Sequence, residues 1–200
     1  LGASIRAAGH DLLIYDPALH SSGQADGDGY YYGEPDEAIR KKLSDFAPDC
    51  VGISCHYSFA INNSFRVARI AKDINPQVVV VLGGLYVSIF KEKVLEECAA
   101  VDYGLIGESE SSFIELLTQI SSKPALEGID GLIYRQAGKV VLNKKTKFIT
   151  ELDSLPFPAR DAVDITAYMN GSSIKHLYGL GSKPSLSLLT SRSCPSKCSY

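Results

Sequence analysis

The 200-residue sequence predicts an α/β fold, a doubly wound parallel sheet with helices on both faces. Three observations predict it. Strand-like and helix-like segments alternate four times between residues 10 and 121. Residues 77–82 hold four valines and a leucine, the composition of a strand buried on both faces. Gly83-Gly84 and Gly107 end two of the strands where the chain turns toward a helix. Such alternation gives right-handed crossovers, and sheets of this kind bind ligands beyond the carboxyl ends of their strands.

The elements follow in order. Residues 1–8 have a helical pattern stopped by Gly9, a good C-terminal cap. Residues 10–16 read as a strand closed by Pro17, and residues 18–33, rich in Ser, Gly, Asp and Tyr, read as a loop. Pro35 sits near the first turn of a helix reaching Phe46, where its missing N–H costs nothing. Ala38, Ile39, Leu43 and Phe46 give that helix its apolar spacing. Residues 50–54 form a short apolar strand. Residues 60–74 form a helix in which Phe65, Ala68, Ile70 and Ile74 are interspersed with Arg66, Arg69, Lys72 and Asp73. After the valine strand come a helix over 88–99, a strand over 101–106 and a helix over 109–121 with Phe113, Leu116, Leu117 and Ile120 on one face.

The texture changes after Lys123-Pro124. Residues 131–134 and 140–142 flank a turn and read as a β-hairpin. Leu155-Pro156-Phe157-Pro158 reads as a rigid linker, because two closely spaced prolines continue neither a helix nor a central strand. Residues 161–183 have no clear pattern. Residues 184–190 read as a strand followed by a loop to Tyr200. The expected organisation is therefore a sheet domain over 1–122, a hairpin and linker over 123–183, and the start of a further domain over 184–200. The chain opens at Leu1 inside a helical pattern and stops six residues after Cys194. It is expected to be a piece of a longer protein that lacks the strand before its first helix.

Composition narrows the function. Hydrophobic residues make up 45% and charged residues 22%, which excludes a disordered or low-complexity chain. A net charge of −3 is not the electrostatic footprint of a nucleic-acid binder. No apolar run approaches the ~20 residues that span a bilayer. Five cysteines without a dense framework argue against a secreted disulfide scaffold and for a reducing cytoplasm. Cys50, Cys55 and Cys98 lie in apolar surroundings and read as small buried residues.

Several groups can carry chemistry. Cys194 and Cys198 can place two thiolates on one soft metal or cluster, or can be two reduced loop cysteines. Gly83-Gly84 lets the backbone approach a ligand closely, or is simply a turn. Ser54, Gly83 and Gly84 are expected at adjacent strand ends. His56 lies at the same tip, either near a ligand or as a loop histidine without a metal role. Glu108 and Glu110 are an acid–base pair or favour the start of the helix after them. Tyr30-Tyr31-Tyr32 beside Gly27 and Gly29 is an aromatic loop that covers a cofactor or lies on the surface. Lys144, Lys145 and Lys147 read as a solvated basic face.

Several segments together resemble the cobalamin-binding, Rossmann-like domain that precedes one class of radical S-adenosylmethionine (radical SAM) enzymes. Arg6-Ala7-Ala8-Gly9-His10-Asp11 resembles the family's first helix end and second strand, with Asp16-Pro17 at the strand tip. Val51-Gly52-Ile53-Ser54 resembles its third strand, ending in the serine that faces the nucleotide tail. Val81-Leu82-Gly83-Gly84 resembles its fourth strand and diglycine turn. Residues 102–110 resemble a stretch usually seen as Gly-Glu-Gly-Glu, here with Ser109 in place of a glycine. Residues 155–161 resemble the linker into the radical SAM barrel. Thr190-Ser191-Arg192-Ser193, then Cys194, Cys198 and Tyr200, resembles the start of its cluster loop. There three cysteines hold a [4Fe-4S] cluster and leave one iron for S-adenosylmethionine, and the third would follow Tyr200.

The resemblance implies a cobalamin-dependent radical SAM enzyme, cut inside the first strand and loop of its barrel. It implies methylation of an unreactive carbon, or a related cyclisation or rearrangement, on a small-molecule or natural-product substrate. An electron donor such as flavodoxin or ferredoxin is the implied partner. Cys194 and Cys198 are the implied cluster ligands and Tyr200 the implied aromatic of that motif. Asp16, Ser54, Gly83, Gly84 and Glu108 are the implied cofactor contacts. The D-x-H-x-x-G motif that carries an axial histidine in the methionine-synthase type is not in the chain. With only two of the three cysteines, the 200 residues alone are expected to be inactive. A non-catalytic cobalamin carrier or sensor, or another flavodoxin-like nucleotide-binding module, is the alternative. No G-x-G-x-x-G or P-loop is present, and residues 53–56 lack the aspartate a phosphorylated receiver needs.

Overall fold

The computed structural model describes residues 1–19, 24–26, 29–31, 33–120, 125–170, 191–192 and 196. Helix α1 (Gly2–Ala7) is followed by a segment, 10–16, that carries no strand. Its apolar residues satisfy the strand pattern, but a strand exists only when a neighbour completes its hydrogen-bond ladder, and no described segment pairs with it. It packs on α1 instead: a Cβ on Gly2 would lie 3.0 Å from Ile14 Cδ1 and 3.3 Å from Leu12 Cδ2. The stretch read as a loop holds a small antiparallel hairpin, β1 (Gln24–Asp26) and β2 (Gly29–Tyr31).

Helix α2 (Asp36–Phe46) starts after Pro35 and ends where Ala47 turns into the left-handed region at φ 48°. Asp36 and Glu37 occupy its first turn, where the helix dipole favours negative charge. It packs on α3 (Ile61–Ile74), to which Asp36 and Arg66 tie it by an ion pair.

The main sheet has the order β3 (Cys50–Ser54), β4 (Val79–Gly83), β5 (Tyr103–Leu105), β6 (Leu132–Gln136) and β7 (Lys139–Leu142). The first three strands are parallel, with Val51 opposite Val80 and Val81 opposite Tyr103. Strand β6 runs antiparallel to β5, and β7 antiparallel to β6. The predicted hairpin is therefore present and shares the sheet with the parallel strands. Its turn is Ala137-Gly138, both at positive φ (49° and 78°), the geometry that suits the twist of a two-residue hairpin. The strand–helix alternation ends at Ile120, but the sheet continues through β7. Arg135 of β6 secures this extension by donating to the carbonyl oxygens of Leu95 (2.5 Å), Val101 (2.7 Å) and Cys98 (3.1 Å).

Both sheet faces are covered. On one, Val80 and Leu82 pack with Phe65, Ala68 and Ala71 of α3, Val87 of α4 (Leu85–Phe90) and Val94 and Leu95 of α5 (Lys93–Glu97). On the other, Val81 packs with Phe113, Leu116 and Leu117 of α6 (Glu110–Ile120), and with Leu132 and Tyr134. Burying alternate side chains of β4 on opposite faces is what its all-apolar composition requires. The single helix expected over 88–99 is two, because Lys91 takes φ 50°, which a right-handed helix cannot continue through.

The linker at 155–158 is irregular and lies between short 3₁₀ turns at Leu152–Ser154 and Arg160–Ala162. Beyond it Asp161 pairs with both terminal nitrogens of Arg6 at 2.6 and 2.9 Å. Helix α7 (Ile165–Asn170) falls in the stretch without a sequence pattern. The strand expected over 184–190 lies outside the described residues. No helix among the described residues is long and apolar enough to cross a membrane.

Candidate functional site

The carboxyl ends of β3, β4 and β5 form one edge. Ser54 ends β3 opposite Gly83, which ends β4. The two ends are stitched beyond the sheet: Cys55 N donates to Gly83 O (2.8 Å), and Tyr86 N donates to Cys55 O (3.1 Å). Gly84 makes this stitch possible. It takes φ 99° and ψ −176°, and a Cβ there would stand 2.5 Å from the Cys55 carbonyl oxygen. No other residue combines that backbone with that approach. Gly83 differs: a Cβ on it would meet only Leu105 O, at 3.8 Å. The diglycine thus divides its work, with Gly84 required by the fold and Gly83 leaving the edge uncovered.

Ser54 is exposed, and its hydroxyl lies 3.1 Å from His56 Nε2. Past His56 the chain presents Tyr57 and Phe59, 60% and 81% exposed and stacked with centroids 5.2 Å apart. Leu85 and Ile89 of α4 are also exposed. These apolar groups flank the two strand ends and were not singled out from sequence. The aromatic pair directly after His56, and apolar residues four apart just after a diglycine, were the available signals.

The β5 end is joined to β4 through Ser88, whose hydroxyl donates to Gly84 O (3.2 Å) and accepts from Gly107 N (2.9 Å). Glu108 follows. Its carboxylate accepts from Ile149 N (3.0 Å), and its carbonyl accepts from Lys145 Nζ (2.6 Å). Lys145 also pairs with Asp130 at 3.0 Å, both side chains being nearly fully buried. This lysine, read as part of a solvated face, is thus an internal strut. Burial alone would raise the Asp130 carboxyl. Lys145, the Thr146 hydroxyl and the backbone N–H groups of Thr146 and Lys147 outweigh it and hold the group well below the usual carboxylate range.

Glu110 opens α6 and is nearly buried, yet it forms an ion pair with Arg192, 82 residues away. Burial pushes its carboxyl up, but Arg192 and the backbone hydrogen bond more than reverse this, so the net shift is downward. Arg192 also approaches Glu108 at 3.5 Å. The two glutamates therefore share a cation, which the sequence placed only as part of the stretch before Cys194.

Asp16 accepts from Ala18 N (3.0 Å) and from the Tyr168 hydroxyl of α7 (2.6 Å). Its hydrogen bonds run to these groups rather than to the β3–β5 edge. Of the expected contacts, Ser54, Gly83, Gly84 and Glu108 are brought to that edge. Cys194, Cys198 and Tyr200 lie outside the described residues. Cys55 and Cys98 are buried, as expected, and Cys50 is half-buried. No group of three or more candidate metal ligands is present among the described residues.

Comparison with known proteins agrees with this architecture. Residues 1–117 match the family described as B12 binding domain. The chain is 35% identical over 162 residues to an uncharacterized methyltransferase of Pyrococcus horikoshii, covering 81% of this chain and 33% of that protein. It is 29% identical over 158 residues to the cobalamin-dependent radical SAM methyltransferase TokK of Streptomyces tokunonensis, covering 76% and 22%. Among solved structures, the apo form of the cobalamin-dependent S-adenosylmethionine radical enzyme OxsB superposes with a TM-score of 0.53 at 20% identity. That superposition covers 64% of this chain and 18% of the other, and shows the shared fold. The chain spans a third or less of the length of these proteins. Its matched region and its doubly covered sheet place the chain in the B12-binding domain family.

Proposed function

We propose that this chain holds cobalamin on the β3–β5 edge, as part of a radical SAM enzyme that methylates an unreactive carbon. The carrying observation is the edge itself: exposed Ser54 beside Gly83, over which a Cβ would meet nothing closer than 3.8 Å. A broad, flat group with polar rim substituents fits there. The missing Cβ at Gly83 permits close approach, the Ser54 hydroxyl and His56 imidazole offer polar partners, and Tyr57, Phe59, Leu85 and Ile89 offer apolar cover. Glu108 closes the third side.

When bound, cobalamin supplies a carrier for the transferred methyl group. Cys194 and Cys198, with Tyr200 two residues on in the sequence, would supply soft thiolate ligands suited to a [4Fe-4S] cluster that also takes S-adenosylmethionine. Relatives named as methyltransferases support methyl transfer, and relatives named as cyclases support ring formation as the second reading. A small-molecule substrate and a flavodoxin- or ferredoxin-type electron donor complete the reading.

The test is cobalamin retention by the full-length protein and its Gly83→Leu variant. The wild type should keep hydroxocobalamin through desalting, with a shifted visible spectrum. Gly83→Leu should fold and lose at least about tenfold in affinity, the factor equivalent to ~1.4 kcal/mol. No retained pigment in the folded wild type, or unchanged binding by Gly83→Leu, would refute the site. Methyl transfer is tested separately, by 5′-deoxyadenosine formation and product mass in the reconstituted enzyme.

A further inference from the structure

His56 stands just past the carboxyl end of β3, two residues after Ser54, on the edge proposed for cobalamin. It is exposed, so it is not a histidine satisfied inside the core. Its backbone is nevertheless held on both sides. Cys55, the residue before it, is buried, donates its N–H to Gly83 O (2.8 Å) and accepts from Tyr86 N (3.1 Å). The Cys55 thiol donates to the carbonyl of Tyr57, the residue after it (3.5 Å). The point from which the imidazole projects is therefore fixed. The ring itself has one engaged and one open nitrogen. Nε2 lies 3.1 Å from Ser54 Oγ, within hydrogen-bond distance. Nδ1 makes no hydrogen bond among the described residues.

That is how a metal-binding imidazole is held. One nitrogen keeps its proton and gives it to a neighbouring oxygen, which sets the tautomer and the ring plane, and the other keeps a lone pair for the metal. A corrin ring fills the equatorial positions of its own cobalt, so one protein nitrogen suffices and no cluster of protein ligands is needed. Gly83, opposite Ser54, leaves space for a flat ring to approach, and the stacked Tyr57 and Phe59 give apolar cover against water beside the imidazole. Of the other three histidines in the chain, His10 follows α1, and His20 and His176 lie outside the described residues. We propose that His56 is an axial ligand of the cobalt through Nδ1, and that Ser54 is a positioning residue that accepts from Nε2–H. The proposal rests on the cobalamin reading of this edge and deepens it: Ser54 serves the ring, and His56 serves the metal.

The test uses the full-length protein made with histidine labelled with nitrogen-15. It is loaded with hydroxocobalamin, desalted, reduced to the cobalt(II) state and read by electron paramagnetic resonance. An axial nitrogen-15 splits each cobalt line into a doublet. The cofactor's own unlabelled base gives a triplet, and an oxygen ligand gives no splitting. The wild type should show the doublet, and His56→Ala should lose it. Unlabelled His56→Ala given nitrogen-15 imidazole should regain the doublet, and with it any pigment lost on substitution. In Ser54→Ala the ratio of doublet to the other cobalt signals should fall about tenfold, the lower end of what removing an outer hydrogen-bond partner costs. That ratio is taken over bound cobalt alone, so a weaker hold on the cofactor does not imitate it. Retained cobalamin with a triplet or unsplit lines in the wild type would overturn the proposal and leave the cofactor edge standing. A doublet that survives His56→Ala would overturn it too, as would a folded His56→Ala protein in which imidazole restores nothing. An unchanged ratio in Ser54→Ala would remove the serine from it. No pigment retained by the folded wild type would instead refute the cobalamin reading itself.

Discussion

Replacing Gly84 by alanine should damage the fold as well as the site. Its φ of 99° with ψ of −176° belongs to a region essentially restricted to glycine, where another residue costs about 1–3 kcal/mol. The added Cβ would also sit 2.5 Å from Cys55 O, about 0.8 Å inside the ~3.3 Å at which carbon and carbonyl oxygen can meet. Relief requires the β3 end and the start of α4 to separate. That strains Cys55 N to Gly83 O (2.8 Å) and Tyr86 N to Cys55 O (3.1 Å), each contributing about 1 kcal/mol. The combined loss is about 3–5 kcal/mol. Urea denaturation of wild type and Gly84→Ala, followed by far-ultraviolet circular dichroism, measures it. Gly83→Ala is the matched control: its Cβ meets Leu105 O only at 3.8 Å, so its stability should stay within about 1 kcal/mol of wild type. A Gly84→Ala midpoint equal to that of Gly83→Ala would refute the account of why the second glycine is there.

Other consequences can be checked with the same protein. Asp130→Asn leaves the Lys145 ammonium buried without its counter-charge and should cost about 3–5 kcal/mol in denaturant unfolding. Because folding holds the Asp130 carboxyl below its ordinary value, its contribution is fully present above the unfolded value of about 3.9 and is lost as pH falls below it. The acid limb of the wild-type stability profile should therefore be steeper than that of Asp130→Asn. Burial pushes the Cys50 thiol up to about 12, so almost no thiolate exists near neutrality. With Cys55 and Cys98 buried, mass spectrometry after brief alkylation of the folded protein at pH 8 should find all three unmodified. Tyr168→Phe frees one oxygen of Asp16 and should loosen α7 with little effect on the sheet, seen as faster exchange confined to 165–170.

Much of the fold was legible because it is written in local pattern. The valine run of β4 announced a strand buried on both faces, and Val80, Val81 and Leu82 are all at 2% exposure or below. The strand ends at Ser54 and Gly83 were legible for the same reason, since parallel strands of similar length align their carboxyl ends. The exception at 10–16 is instructive: alternation specifies which face is apolar, whereas pairing depends on a neighbour that local pattern does not report. The break at Lys91 and the helix α7 were likewise invisible, having no strong period of their own. Lys145 looked like surface because lysine usually is. Only Asp130, brought beside it by the turn into β6, makes it internal.

By itself, then, the sequence determined the α/β class, the positions of α1, α2, α3 and α6 and the strand ends that form the edge, because hydrophobic period and glycine punctuation act over a few residues. The tertiary structure decided the rest. It put the β6–β7 hairpin in the main sheet, assigned different duties to Gly83 and Gly84, and gave Glu108 and Glu110 a shared arginine from the far end of the described chain. These are long-range pairings, fixed by which buried charge or open ladder finds a partner in space, and no local pattern encodes that choice.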